Sequence, residues 1–515
     1  DNHTPLTFYP IPKTLDASDL LPVLSFSQKE EKTVSKNILT FDSASFYLRR
    51  KKNILWSNKW RMKMRARATL RRKLFLTLTI NLILFLVFCP LSSFGDSGLN
   101  LKIEKMVLDN GLTILMSEDH TVPTVSYQTF VNVGSRDEAK PGITGLAHVF
   151  EHMMFRGTEK YPDYDQALGN YGPETNAWTG SDCTDYFVDI KAEYLEKVIE
   201  VEADRIRNLR FNNETFRTEL GPVKEERRRG QVDDPGGFLW ERFYELAYKK
   251  HTYHHPVIGW EEDLEKNIQF ENGLEFKNTF YSPGYCIISI AGNFKTDKVI
   301  DWIKKYYGDW EAQPPPNIQI PEEPPQTEER VKNFVWKDSQ ISPKLLIGYH
   351  GPNINVKTND FAALKTISKV LFLRSGRLTK KLYQDLQLVD RIWGNMEENK
   401  DPGLFLISAD LKKGKSLDQV KSIIFEEVEK LRQEPATEGE LQKAKNALMA
   451  DLLYRLNRPH AVAGTIGFLE AVGDDYNLIF KLQEKYKQIT AKDVQEVASR
   501  ILSPTNRTVV TLVPK

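Results

Sequence analysis

His148, Glu151 and His152 are the residues of this chain best suited to chemistry, and they sit in the apolar run GLAHVFEHMMF, which reads as a helix. On a helix each residue advances about 100°, so with His148 at zero, Glu151 falls at about −60° and His152 at about +40°. All three side chains then share roughly 100° of arc. Two neutral imidazoles on such a face can hold one zinc ion, and a carboxylate beside them can take a proton from a water at the metal. Two histidines and a glutamate can also meet on a helix by chance. The pattern gains weight only if the remainder of a metal site can be found.

Catalytic zinc takes three protein ligands and leaves one position open to water, so a further ligand is needed downstream. The charged segment from Glu214 to Val232 (ETFRTELGPVKEERRRGQV) is compatible with a helix despite Gly221 and Pro222, and it offers Glu219, Glu225 and Glu226. Glu226 follows Glu219 by two helical turns along the same face. That spacing suits a ligand with a supporting carboxylate above it, orienting a histidine or the ligand itself. Without the upstream motif, the same run reads as a solvated charged helix.

The stretch GLAHVFEHMMFRGTEKYP resembles the zinc-binding segment of the pitrilysin/insulinase family of inverted-zincin metallopeptidases, where the order is His-x-x-Glu-His rather than His-Glu-x-x-His. The resemblance implies that His148 and His152 bind Zn²⁺ together with a glutamate well downstream, and that Glu151 is the general base. The 73 residues between His152 and Glu226 fit the family's spacing. Aligning PVKEERR with the family's corresponding helix puts Glu226 at the ligand position, with Glu225 as the alternative, and Glu219 at a supporting carboxylate one heptad upstream. The likeness extends from about Ile103 to the C-terminus and includes LDNGLTILMSEDHTVPTVSYQTFVNVGSRDE and NAWTGSDCTDYF. In the second of these, Asn176 and Ala177 match an edge-strand pair that holds substrate, where an extended peptide can add as a further strand.

Composition sets the frame for this site. With 515 residues, a net charge of +1 and 40% hydrophobic content, the chain is of ordinary globular type with room for two or more domains. Its charge gives no reason to expect nucleic acid as a partner. Cys89, Cys183 and Cys286 are too few for a disulfide-built scaffold, and the last two read as buried free thiols. Arg65, Arg67, Arg71, Arg72 and Lys73 precede an apolar run from Leu74 to Cys89, followed by Pro90, Ser93 and Gly95. A basic start, an apolar stretch too short to span a membrane comfortably and small residues at its end make 62–95 a secretory signal peptide cut after Gly95. The expected location is periplasmic or secreted, with membrane contact only through 74–89. The alternative is an internal signal-anchor that leaves the enzyme part facing the periplasm. Residues 1–61 lack an initiator methionine and any clear periodicity, and Met62 or Met64 would start a normal signal peptide. They read as a non-native or disordered extension.

The elements that must position the motif follow in order. Leu99 to Val133 alternates around Asn110-Gly111, a hairpin signal, and Thr144 is the expected N-cap of the motif helix. Thr175 to Ile190 reads as a turn into a strand, 192–211 and 214–230 as helices, and Tyr285 to Phe294 as a strand. Six prolines within 313–326 mark an extended linker. Beyond it, 343–350 and 403–410 read as strands and 359–373, 416–433 and 438–455 as helices. We expect an α+β fold of two similar domains forming one lobe of a clamshell: a zinc domain over 96–312, a linker over 313–330, and a second domain over 331–515 without the zinc motif. The similarity of the two domains is implied by the resemblance, since no residue-by-residue repeat is evident.

Three further groups stand apart from the motif. His251, His254 and His255 cluster in a loop without a regular face and read as structural, and the run from Trp240 reads as a packed helix face. Where two-lobed members of the family carry an Arg and, seven residues later, a Tyr, SGRLTKKLYQDLQLVD places Tyr383 and Asp390. An ionised Asp390 cannot donate to an oxyanion. The resemblance therefore implies a second pitrilysin-like subunit or a homodimer. The expected activity is zinc-dependent endopeptidase cleavage of peptides or unfolded segments. The alternatives are a non-catalytic scaffold or partner subunit of the same fold, and a peptidase dedicated to processing one precursor.

Overall fold

Every residue of the strand Cys286–Gly292 is buried, so the sheet that contains it must be covered on both faces. The computed structural model describes residues 99, 101–314 and 318–515, and shows how that is done. The expected extension 1–61 and the expected signal peptide 62–95, with its apolar run 74–89, lie outside the described residues. Among the described residues no helix is long and apolar enough to cross a membrane.

The first half of the described chain supplies β1 (Glu104–Val107), β2 (Thr113–Glu118), β3 (Thr124–Val131), β4 (Glu174–Thr179), β5 (Thr184–Lys191) and β6 (Cys286–Gly292). Their order in the sheet is β1-β2-β6-β3-β5-β4, with β2 and β6 parallel and all other neighbours antiparallel. The second half supplies β7 (Arg330–Trp336), β8 (Lys344–His350), β9 (Val389–Met396), β10 (Leu404–Leu411) and β11 (Arg507–Pro514), ordered β7-β11-β8-β10-β9. There too a single neighbouring pair, β7 and β11, runs parallel. With β1 set aside, β2 to β6 correspond in chain order and in sheet order to β7 to β11. The α+β expectation is met, and the two sheets share one topology.

The helices repeat as well. α1 (Leu146–Met153) and α2 (Tyr164–Gly169) lie between β3 and β4. Between β5 and β6 come α3 (Leu195–Asn208), α4 (Asn213–Arg227), α5 (Pro235–Ala247) and α6 (Phe270–Phe280), and α7 (Thr296–Tyr307) follows β6. In the second half α8 (Asp360–Phe372) lies between β8 and β9. Next, between β10 and β11, come α9 (Leu417–Gln433), α10 (Glu438–Tyr454), α11 (Pro459–Gly473), α12 (Leu478–Gln488) and α13 (Ala491–Ile501). The run from Trp240 is the packed face of α5, as expected.

The halves exchange one helix each. Leu239, Phe243 and Ala247 of α5, from the first half, pack on Leu346, Leu404, Leu406, Val510 and Leu512 of the second sheet. Val462 and Ala463 of α11, from the second half, pack on Ala291 of the first sheet, where Ser289 Oγ donates to the Ala463 carbonyl at 2.7 Å. Small residues admit the contacts: a Cβ on Gly467 of α11 would collide with the Phe130 ring of β3, and one on Gly348 of β8 with the Phe243 ring of α5. Each buried Leu or Phe of these contacts contributes about 1.5–3 kcal/mol relative to exposure.

Two local expectations need correction. The segment 175–190 is a hairpin of two paired strands, β4 and β5, because Gly180 to Cys183 turns the chain back on itself. Thr144 is not the N-cap of α1. Its hydroxyl donates to Asp263 Oδ2 at 2.5 Å, while the helix opens behind Gly145 at φ 97°. Glu138 does the capping instead, accepting from the Gly145 and Ala147 N–H groups at 2.7 Å each. Only glycine suits position 145, since its φ is left-handed and a Cβ would meet the Ile258 carbonyl.

Candidate active site

The motif faces of α1 and α4 meet because each helix buries its other side. Leu146, Ala147, Val149, Phe150 and Met153 of α1 are buried, and Phe150 stacks on Phe276 of α6 at 5.1 Å between ring centroids. The remaining arc carries His148, Glu151 and His152. α4 starts at an Asn212 cap that accepts from Thr215 N–H at 3.0 Å, and it continues through Gly221 and Pro222 without a break. Phe216, Leu220 and Val223 bury its apolar side. A buried ion pair from Arg227 to Glu241 at 2.7 Å ties its C-terminal end to α5.

Between the two helices, Glu226 Oε2 stands 3.6 Å from His148 Nε2 and 3.4 Å from His152 Nε2. One atom from each of the three residues falls within 4.8 Å of the others, the one such metal-capable group found among the described residues. These separations are long for a direct hydrogen bond and close to those of two ligands on one metal. Zinc bonds of about 2.0–2.1 Å place tetrahedral ligand atoms about 3.4 Å apart. Glu225, the alternative ligand, points away and is partly exposed, paired with Arg228 and Arg229 at 2.8 and 2.6 Å. Glu219 lies beside the group: His152 Nδ1 is 3.1 Å from its Oε1, and Arg156 holds its other oxygen.

The electrostatics follow from burial and these neighbours. Burial holds His148 below its ordinary value, in the neutral form a metal needs. Its Nδ1 has no hydrogen-bond partner among the described residues. Burial also acts against a charged His152, but hydrogen bonds to Glu219 and Glu226 outweigh it and raise the ring to about 9. For Glu219 and Glu226 burial acts upward, and the hydrogen bonds with His152 bring both below the usual carboxylate range. Two carboxylates thus face two imidazoles, and a metal at the ring nitrogens would take the place of the proton that His152 otherwise holds.

Glu151 projects beside this group toward β4, where Thr179 Oγ1 donates to its Oε2 at 2.6 Å. β4 is the outermost strand of its sheet and carries Asn176 and Ala177. Asn176 Oδ1 accepts from the Ala177 N–H at 2.9 Å, so an edge donor is covered by a side chain that can turn away. Sequence reasoning missed Glu138, Arg156 and Thr179. Glu138 and Thr179 come from a loop and a hairpin that no spacing rule connects to the motif, while Arg156, four residues after His152, lies in the turn that follows the helix.

The corresponding helix pair of the second half, α8 and α10, has no such group. Lys369 of α8 pairs with Asp451 of α10 at 2.5 Å, and buried Lys365 pairs with Glu398 at 2.6 Å. His251 Nε2 lies 3.0 Å from Asp401 and its Nδ1 accepts from Tyr253 N–H. His254 and His255 meet backbone carbonyls. Tyr383 is about half exposed and Asp390 is exposed on β9. Cys183 and Cys286 are buried and unpaired.

Residues 113–260 match the family described as insulinase (peptidase family M16), and residues 267–448 match the M16 peptidase inactive domain. The chain belongs to the insulinase family. Among its relatives is a zinc protease, PqqE, of Helicobacter pylori, 28% identical over 80% of this chain and 93% of that protein. A probable mitochondrial-processing peptidase subunit beta of Arabidopsis thaliana is 22% identical over 70% of this chain and 68% of its own length. The crystal structure of a protease from Helicobacter pylori superposes with a TM-score of 0.76 at 27% identity, covering 80% of this chain and all of that one. The described residues of this insulinase-family member therefore make up one lobe of the family fold.

Proposed function

We propose that this protein is a zinc-dependent metalloendopeptidase that cleaves peptides or short unfolded segments. The observation that carries the reading is the meeting of His148, His152 and Glu226 within 4.8 Å, with Glu151 on the same helix face and an open strand edge beside it. His148, His152 and Glu226 would hold Zn²⁺, and Glu219 with Arg156 keeps the His152 ring in place. When bound, zinc supplies Lewis acidity, which makes water a nucleophile near neutral pH and stabilises charge on the scissile carbonyl. Glu151 takes the proton of the attacking water and returns it to the leaving amine. An extended substrate adds to β4 once Asn176 releases the Ala177 N–H, with main-chain hydrogen bonds giving affinity and little sequence preference.

Two further parts of the reading rest on the sequence. The basic, apolar and small-residue order over 62–95 supports action outside the cytoplasm. Tyr383 and Asp390 in place of an Arg and Tyr, on a single lobe, support a second subunit of this fold or a homodimer that closes the chamber. The likeness to a protein named as a processing-peptidase subunit favours a paired arrangement.

The test is cleavage of a fluorogenic unstructured peptide by the purified protein, compared with Glu151→Gln at equal zinc content. Activity that is lost in the variant supports the mechanism. Zinc bound by both proteins with cleavage by neither points to a partner or scaffold role.

A further inference from the structure

A glutamate acting as a general base must aim one oxygen at the attacking water, yet its side chain turns about three bonds. In this site the second oxygen is held. Thr179 Oγ1 donates to Glu151 Oε2 at 2.6 Å, which leaves Oε1 with its lone pairs unengaged by that bond. Thr179 is the last residue of β4, the strand whose outer edge is open.

The hydroxyl rests on a fixed platform. Thr179 is paired with Thr184 across the β4–β5 turn, and Thr184 Oγ1 donates to the Val133 carbonyl at 3.0 Å. The preceding residue, Trp178, donates its indole N–H to Asp185 at 3.0 Å on the opposite face of the strand. The same indole packs against Phe130 of β3 and Phe468 of α11, at 6.4 Å between ring centroids in each case. The end of β4 is thus gripped by its own sheet and by a helix of the other half.

We propose that Thr179 is a positioning residue: its hydroxyl orients the Glu151 carboxylate, so that the strand offered to substrate also aims the base. This rests on the reading of Glu151 as general base. Nothing in the spacing of the motif marks Thr179, which lies 28 residues beyond Glu151.

The experiment uses the zinc-loaded protein in four forms: wild type, Thr179→Val, Thr179→Ser and Glu151→Gln. Valine keeps the branched shape and removes the hydroxyl, whereas serine keeps the hydroxyl. We expect T179V to lower kcat about 10- to 100-fold, the scale of a misplaced catalytic group, with KM and zinc content little changed. T179S should recover most of that loss. Crystal structures should show one Glu151 rotamer in wild type and T179S and a displaced one in T179V. Wild-type kcat in T179V, equal impairment of T179S and T179V, or loss of zinc or folding in T179V would each overturn the proposal. If the wild-type protein cleaves no better than E151Q, the functional reading fails. The rotamer comparison then still decides whether Thr179 positions Glu151.

Discussion

His152 Nδ1 stands 3.1 Å from Glu219 Oε1. An ionised carboxylate only accepts, so this contact keeps a proton on Nδ1 and turns Nε2 toward Glu226, 3.4 Å away, where a bound metal would take the place of the second proton. Arg156 steadies Glu219 from the other side. Partners of this kind set both the orientation and the basicity of a metal-binding imidazole. Glu219→Ala should therefore weaken zinc binding about 10- to 100-fold. Competition against a chromophoric chelator measures this directly, and an unchanged affinity would contradict the assigned role.

Glu138 determines where the motif helix begins. Its two oxygens satisfy the Gly145 and Ala147 N–H groups inside the protein, at a helix end that has no side-chain cap of its own. Glu138→Ala leaves both donors buried and unpaired, which costs about 2–4 kcal/mol. Glu138→Gln keeps acceptor oxygen and should cost less. Urea denaturation of the two variants gives the comparison, with equal stabilities counting against a capping role.

A pH dependence comes from Glu397, where burial pushes the carboxyl up to about 7, against hydrogen bonds from Tyr244 and the Leu404 N–H. Below about pH 4.5 the group is protonated whether the chain is folded or not. Between that value and about 7 the folded chain holds a proton that the unfolded chain has lost. Its contribution to stability is therefore fully present at low pH and is lost as pH rises through this window, by about 3 kcal/mol. Glu397→Gln should lack this fall, so its stability relative to wild type should improve steadily from pH 4.5 to 8. A gap independent of pH would show that Glu397 does not titrate there.

The helix exchange can be tested at two glycines. Gly467→Ala pushes a methyl group into the Phe130 ring, and Gly348→Ala does the same to Phe243. Both rings are fully buried, so neither can swing aside. Each substitution should destabilise by about 1–3 kcal/mol. Wild-type melting temperatures in both variants would mean that the contacts are looser than described.

Much of this arrangement is legible in the residues, and what is not has physical reasons. His148, Glu151 and His152 are readable because helical spacing alone puts them on one face. Glu226 is readable only with the family resemblance, because the choice between it and Glu225 depends on the rotation of α4 against α1. The strands 343–350 and 403–410 are apolar enough to be recognised. β7 is an edge strand, with Val331, Lys332, Asn333 and Val335 exposed, and it lacks a clean apolar pattern. β11 pairs with it in parallel across the whole second half, a contact that no local signal announces. Thr144 misled because threonine before an apolar run usually caps a helix, while the longer Glu138 reached the same N–H groups from a neighbouring loop. Amphipathic patterning shows that α5 and α11 have an apolar side but not which sheet it will cover.

That last point alters what the proline-rich linker means. It looks like the seam between two separable domains, yet α5 and α11 cross it in opposite directions to complete each other's halves. A half released there would expose a bare sheet face and carry an orphan helix. The molecule is in effect a domain swap held within one polypeptide. A nick in the linker should leave a tightly held two-piece protein, and the two sheets should melt as a single cooperative body.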